Sequence, residues 1–122
     1  MGSITGWSSI LKGCIDWIGY VGCFSGCKSD IPAIAEALNT TYAEYPVLYF
    51  YNGNGNLDMS HDEHVEAYDQ IPELCADRFH PGEDYLNGDN CIMGDKPGQG
   101  HSYENWIVDL YNVSGVFFKN AD

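Results

Sequence analysis

Residues 45–70, YPVLYFYNGNGNLDMSHDEHVEAYDQ, constrain the fold more than any other stretch. Val47 to Tyr51 are apolar on both faces of an extended chain, which suits a strand in the middle of a sheet. Pro46 stops whatever precedes it. Asn52-Gly53-Asn54-Gly55 then reads as a turn. Ser60 and Glu63 stand at capping-box spacing, so a helix is expected to begin at His61. Val65, Tyr68, Ile71 and Cys75 would form its inner stripe, with Asp62, Glu66, Asp69 and Glu73 in water and Pro72 kinking or dividing it.

The remaining segments are placed around this unit. Residues 4–24 carry only Lys12 and Asp16 as charges, spaced for an i,i+4 pair. Trp7, Leu11, Cys14, Ile18 and Val21 make one stripe, so the segment reads as a buried amphipathic helix. A membrane span is disfavoured by the polar stripe along its length and by Gly13, Gly19 and Gly22. Ser29 is the expected N-cap of a second helix with Ile31, Ile34, Ala35 and Leu38 facing inward. Residues 79–100 lack periodicity, and a loop that long is either functional or conceals an element. Residues 103–111 and 116–119 read as strands around a turn at 112–115. The expected fold is therefore α+β: a single domain over 1–122, with N-terminal helices packed on an antiparallel sheet of three or more strands ending in a C-terminal hairpin.

Charge narrows the function classes. The net charge is −13, and it is uneven. Before Asp58, two lysines face four carboxylates, a net of −2; from Asp58 onward, three cations face fourteen carboxylates, a net of −11. Such a surface disfavours nucleic-acid phosphate and anionic membranes and favours a basic protein partner. Asp62, Glu66, Asp69, Glu73, Glu83, Asp84, Asp89 and Asp95, interleaved with aromatic residues, are the expected contact residues. The leading expectation is a small acidic binding protein of the inhibitor, immunity or charge-mimic type, with no cofactor. Its five cysteines form no CxxC pair and its start lacks a signal-peptide pattern, so cytoplasm is the default compartment. Sequons at Asn39 and Asn112 permit secretion.

Two other chemistries are written in the side chains. Asn52, Asn54 and Glu63 partly match a calcium loop, but neither register supplies both the first-position carboxylate and the sixth-position glycine. His61 and His64 lie three apart on one expected helix, able to share a metal. A thiol nucleophile is the third option. Cys27 precedes the start of the second helix, whose dipole favours a thiolate. His101 would be the base, oriented by Asp109 or Asn120. The order Cys27, His101, Asn120, with Phe118-Lys119 before the asparagine, resembles that of papain-like thiol hydrolases. The resemblance covers only those residues and implies a small thiol hydrolase; the family's upstream glutamine and the tryptophan after its cysteine have no counterpart here.

Overall fold

The structure is a computed structural model and describes residues 1–27 and 29–117. Helix α1 (Gly2–Thr5) runs directly into a π-helical segment, Gly6–Leu11. Strand β1 (Tyr20–Phe24), helix α2 (Ile31–Asn39), strand β2 (Tyr49–Gly55) and helix α3 (His61–Leu74) follow. A 3-10 turn (Tyr85–Asn87), strand β3 (Cys91–Lys96) and helix α4 (Tyr103–Ser114) complete the described elements. The strands pair in parallel in the order β1-β2-β3, with Tyr20 opposite Tyr49 and Phe50 opposite Cys91.

Parallel strands need helical crossovers; here α2 and α3 cover one face of the sheet, and α4, after the last strand, covers the other. On one face Trp7 and Leu11, then Ile31, Ile34 and Leu38, then Ala67 and Ile71, pack on Val21, Cys23 and Phe50. The ring of Trp7 meets Phe50 edge-on at 4.8 Å, and Phe79 does the same at 5.9 Å. On the other face Val113 of α4 joins Tyr49 and Tyr51, with Tyr20, Phe24, Ile92 and Phe117 against them. Asp30 caps α2 by accepting from the Ala33 amide at 3.1 Å, with Pro32 in the first turn.

Several expectations are corrected. The sheet is parallel, not antiparallel, and residues 103–114 are a helix rather than one arm of a hairpin. Residues 118–119 of the expected last strand lie outside the described residues. The reason is that α4 buries Asn105 and Asp109 while leaving Ile107, Val108 and Leu110 outside, so its apolar residues do not report its inner face. Residues 4–24 divide into a helix and a strand, with the bend at 14–19 between them; Trp17 is almost fully exposed. Among the described residues no helix is long and apolar enough to cross a membrane.

The glycines of Asn52-Gly53-Asn54-Gly55 do not make a turn. They extend β2, because the strand passes under α4 and the following loop at close range. A Cβ on Gly53 would run into the Asp109 carboxylate, and one on Gly55 into the backbone of Gln99. The long segment 79–100 does conceal an element, β3.

Candidate active site

Two loops at the carboxy-terminal end of the sheet build the site. In parallel sheets this is the end where ligands bind. After β2 the chain turns through Asn56 to Ser60; after β3 it turns through Pro97 to Ser102. The loops bond to one another. Asn56 N–H donates to Lys96 O at 3.2 Å, Leu57 N–H to Gln99 O at 2.9 Å, and Gly98 N–H to Asn56 Oδ1 at 2.8 Å. Asn105 of α4 ties the second loop down by donating to Gly100 O at 2.9 Å. These ties bring His101 to Asp58, 43 residues earlier in the chain.

Nδ1 of His101 lies 3.0 Å from Asp58 Oδ2. The Asp58 side chain is fully buried, while that of His101 is about half exposed at 46%. The other carboxylate oxygen accepts from the Ser60 amide at 2.9 Å and the Ser60 hydroxyl at 2.8 Å. Burial pushes the Asp58 carboxyl upward. Hydrogen bonds from the Ser60 amide and from the Ser25 and Ser60 hydroxyls, with His101 nearby, outweigh burial and hold it below the usual carboxylate range. Asp58 is thus an anion facing a ring nitrogen. That fixes the Nδ1–H tautomer of neutral His101 and leaves Nε2 with its lone pair and no hydrogen-bond partner among the described residues.

His101 borders a depression of about 460 Å³ shared with Met1, Gly2, Ser3, Gly22, Phe24, Ser25 and Trp106. The Trp106 ring meets the imidazole edge-on at 5.0 Å. Ser25, just past β1, adopts a left-handed backbone with φ 52°, uncommon outside glycine. Its hydroxyl is turned toward Asn54 Oδ1 at 3.4 Å and toward Asp58. Ser3 donates to Gly26 O at 2.5 Å. Beneath lies a buried neutral histidine. His64 Nε2 accepts from Gly26 N–H and its Nδ1–H donates to Asn52 Oδ1. Burial first, then His61 and Lys96, push its pKa down to about 4 against the opposing pull of Asp58.

The residues singled out from sequence are scattered. Cys27 borders a different depression, with Ser29, Asp30, Glu63 and Glu66; burial and those glutamates push its thiol up to about 12. Asp109 does not meet His101. It is buried under α4, paired with Lys96 and accepting from the Tyr51 hydroxyl at 3.0 Å, and burial pushes its carboxyl up against both. Asn120 lies outside the described residues. Asn52 and Asn54 are interior strand residues engaged with His64 and Ser60, and all five cysteines are free thiols. His61 lies 3.2 Å from Asp95 and three residues before buried His64 on α3, and no metal-holding cluster of three or more His, Cys, Asp or Glu occurs among the described residues. Asp62, Glu66, Asp69 and Glu73 line the outer side of α3. Glu83 borders a depression beside β3, while Asp84 and Asp89 are spent on the 3-10 turn through Asn87 Nδ2 and the Asp84 amide.

Sequence reasoning took His101 but missed Asp58, Ser60 and Ser25. The available signal was an aspartate in the loop that follows the apolar run 47–51 and its Asn-Gly-Asn-Gly, with a hydroxyl two residues later able to bond it.

No protein-family model and no curated protein matches the chain. Solved structures do. One is a protein designated FAE, with TM-score 0.79 and 19% identity over 99% of this chain and 44% of that one. Another is a serine-to-alanine mutant of the feruloyl esterase module from Clostridium thermocellum, complexed with sinapinate, with TM-score 0.71 and 22% identity over 90% of this chain and 39% of that one. The chain therefore spans less than half the length of the structures it resembles. What it shares with them at this identity is the fold. The second of them is an esterase module, and the inhibitor and immunity-protein expectation finds no support in either.

Proposed function

We propose that these residues form the acid–base part of a carboxylic ester hydrolase, with His101 as the general base and acid and Asp58 as its orienting anion. The Asp58–His101 hydrogen bond, at the carboxy-terminal end of a parallel sheet, carries the reading. The esterase module among the structural neighbours supports its reaction class.

In the proposed reaction His101 Nε2 takes the proton of a hydroxyl nucleophile as its oxygen attacks the ester carbonyl. The C–O bond to the leaving alcohol breaks, and the alcohol takes the proton from Nε2. Water then enters, gives a proton to Nε2 and attacks the acyl carbon; the acid leaves and the nucleophile regains its proton. Asp58 keeps the tautomer that makes Nε2 the acceptor and stabilises the imidazolium. The hydroxyls of Ser3 and Ser25 are held by Gly26 O and by Asn54 and Asp58, so the reading assigns the nucleophile to neither. Cys27 is a poor candidate, since a thiol pushed up to about 12 is almost wholly protonated at neutral pH. The aromatic lining from Phe24 and Trp106 suits a planar acyl group, and a hydroxycinnamoyl ester is the proposed substrate class.

The test is hydrolysis of methyl sinapinate and p-nitrophenyl acetate. The chain is assayed alone and mixed with the part of the Clostridium thermocellum module that it does not match. Asp58→Asn and His101→Ala are each expected to lower kcat/KM by about 10³- to 10⁴-fold, and Cys27→Ser to leave it unchanged. Hydrolysis that survives His101→Ala and is lost on Cys27→Ser would replace this reading with the thiol one.

A further inference from the structure

We infer that Asn54, buried inside β2, is a positioning residue for Asp58: its side-chain amide fixes the direction of the Ser60 hydroxyl, and Ser60 fixes the carboxylate that faces His101. Asparagine is depleted in strands, and a fully buried one needs partners for its polar atoms. The partners of Asn54 leave it one orientation. Its Oδ1 faces the Gly55 N–H at 2.9 Å and the Ser25 hydroxyl at 3.4 Å. A backbone N–H can only donate, so the atom facing it is the oxygen, and the amide nitrogen is the atom turned to Ser60. There Nδ2 donates to Ser60 Oγ at 3.4 Å.

That contact decides what Ser60 does. A serine hydroxyl has one proton and can turn it to any acceptor in reach. With Nδ2–H aimed at its oxygen, the proton turns away from Asn54 and onto Asp58 Oδ1, 2.8 Å away. The Ser60 amide donates to the same oxygen at 2.9 Å. Two donors thus hold Oδ1, which leaves Oδ2 to His101 Nδ1 at 3.0 Å. Ser60 does this at the expense of the helix it precedes. It stands at the N-cap of α3, where a serine hydroxyl ordinarily accepts from an amide of the first turn, and it makes no such bond. A buried asparagine in a strand and an N-cap serine that does not cap are two local preferences given up at one point, and both converge on Asp58. Asn52, two residues earlier on the same face of β2, is bonded to His64 instead. The inference rests on the ester-hydrolase reading only for the reaction that the positioning serves; the contacts themselves are tested on the ring of His101.

The test is the share of His101 that carries its proton on Nδ1 near pH 8, read on the whole chain by long-range proton–nitrogen spectra, with circular dichroism as the check on folding. Ser60→Ala should lower that share, and Ser60→Thr, which keeps the hydroxyl, should preserve it. Asn54→Val, a residue that suits a strand and has nothing to donate, should lower it too. Asn54→Ala, which adds no bulk, is held to the same outcome should the valine fail to fold. In the Ser60→Ala background the Asn54 change should add nothing, because its effect passes through the hydroxyl. In ester hydrolysis Ser60→Ala should lower kcat by about ten- to a hundred-fold with KM unchanged, the worth of one hydrogen bond to a charged group, and Asn54→Val should lower it by less. An Asn54 effect of equal size with and without the Ser60 hydroxyl would overturn the inference, since Asn54 would then act by packing alone. So would a folded Ser60→Ala chain with the tautomer share of its parent. A tautomer that answers to Asn54 and Ser60 in a chain that hydrolyses no ester would overturn the esterase reading and leave the role of Asn54 standing.

Discussion

His64 is the residue whose chemistry most depends on being folded. Unfolded, it takes a proton near pH 6.5; folded, it resists protonation until about pH 4. Below about pH 6.5 the unfolded chain therefore binds a proton that the folded chain does not, so stability falls as pH drops toward 4 and is complete above 6.5. The full span amounts to about 3 kcal/mol. Asp58, whose folded carboxyl is held low, works in the same direction at still lower pH. Urea denaturation at intervals from pH 7.5 to 4.5 should show the loss, and His64→Gln should flatten it. A profile that stays steep in the variant would move the titration elsewhere. The histidine was visible in the sequence, but its burial was not. The stripe of Val65, Tyr68, Ile71 and Cys75 holds at Ile71 and Cys75, but in the first turns the buried residues are His64 and Ala67, each one place before the expected apolar one. A buried polar network offers no apolar periodicity to read.

Elements were legible where apolar side chains point at the core. Helix α2 buries the four residues that its pattern designates, Ile31, Ile34, Ala35 and Leu38, and α3 begins at His61 behind Ser60. Ser60, however, gives its hydroxyl to Asp58 rather than to the helix. Strand β1 was hidden by continuity with the apolar segment before it, and β3 by Gly94, Asp95 and Lys96 in a six-residue strand. Helix α4 was misread because it meets the sheet through polar groups. That arrangement makes two strong demands. Gly53→Ala should drive a methyl into Asp109 and cost about 1–3 kcal/mol, whereas Gly22→Ala, beside the Phe24 ring, should cost less. Lys96→Met should leave the Asp109 carboxylate buried without its cation and cost about 3–5 kcal/mol. Thermal unfolding of the three variants would order them, and a harmless Lys96→Met would show that Asp109 is neutral in the fold.

At the scale of the molecule, a parallel sheet collects loop ends at one edge, and two such loops, fastened by backbone hydrogen bonds, hold Asp58 against His101. Charge composition pointed elsewhere. The acidic balance that suggested a basic partner is spread over the outer side of α3 and the 79–100 segment, and part of it is used internally by Asp58, Asp84, Asp89 and Asp109. The site could not be read from spacing, because its two members are joined by the register of β2 and β3 and not by a local motif. The account rests on Asp58 selecting the tautomer of His101. Long-range proton–nitrogen spectra of the histidine rings, recorded on the chain near pH 8, test this directly. They should show His101 carrying its proton on Nδ1, with that preference lost in Asp58→Asn. A His101 ring protonated on Nε2, or one indifferent to the substitution, would contradict the account.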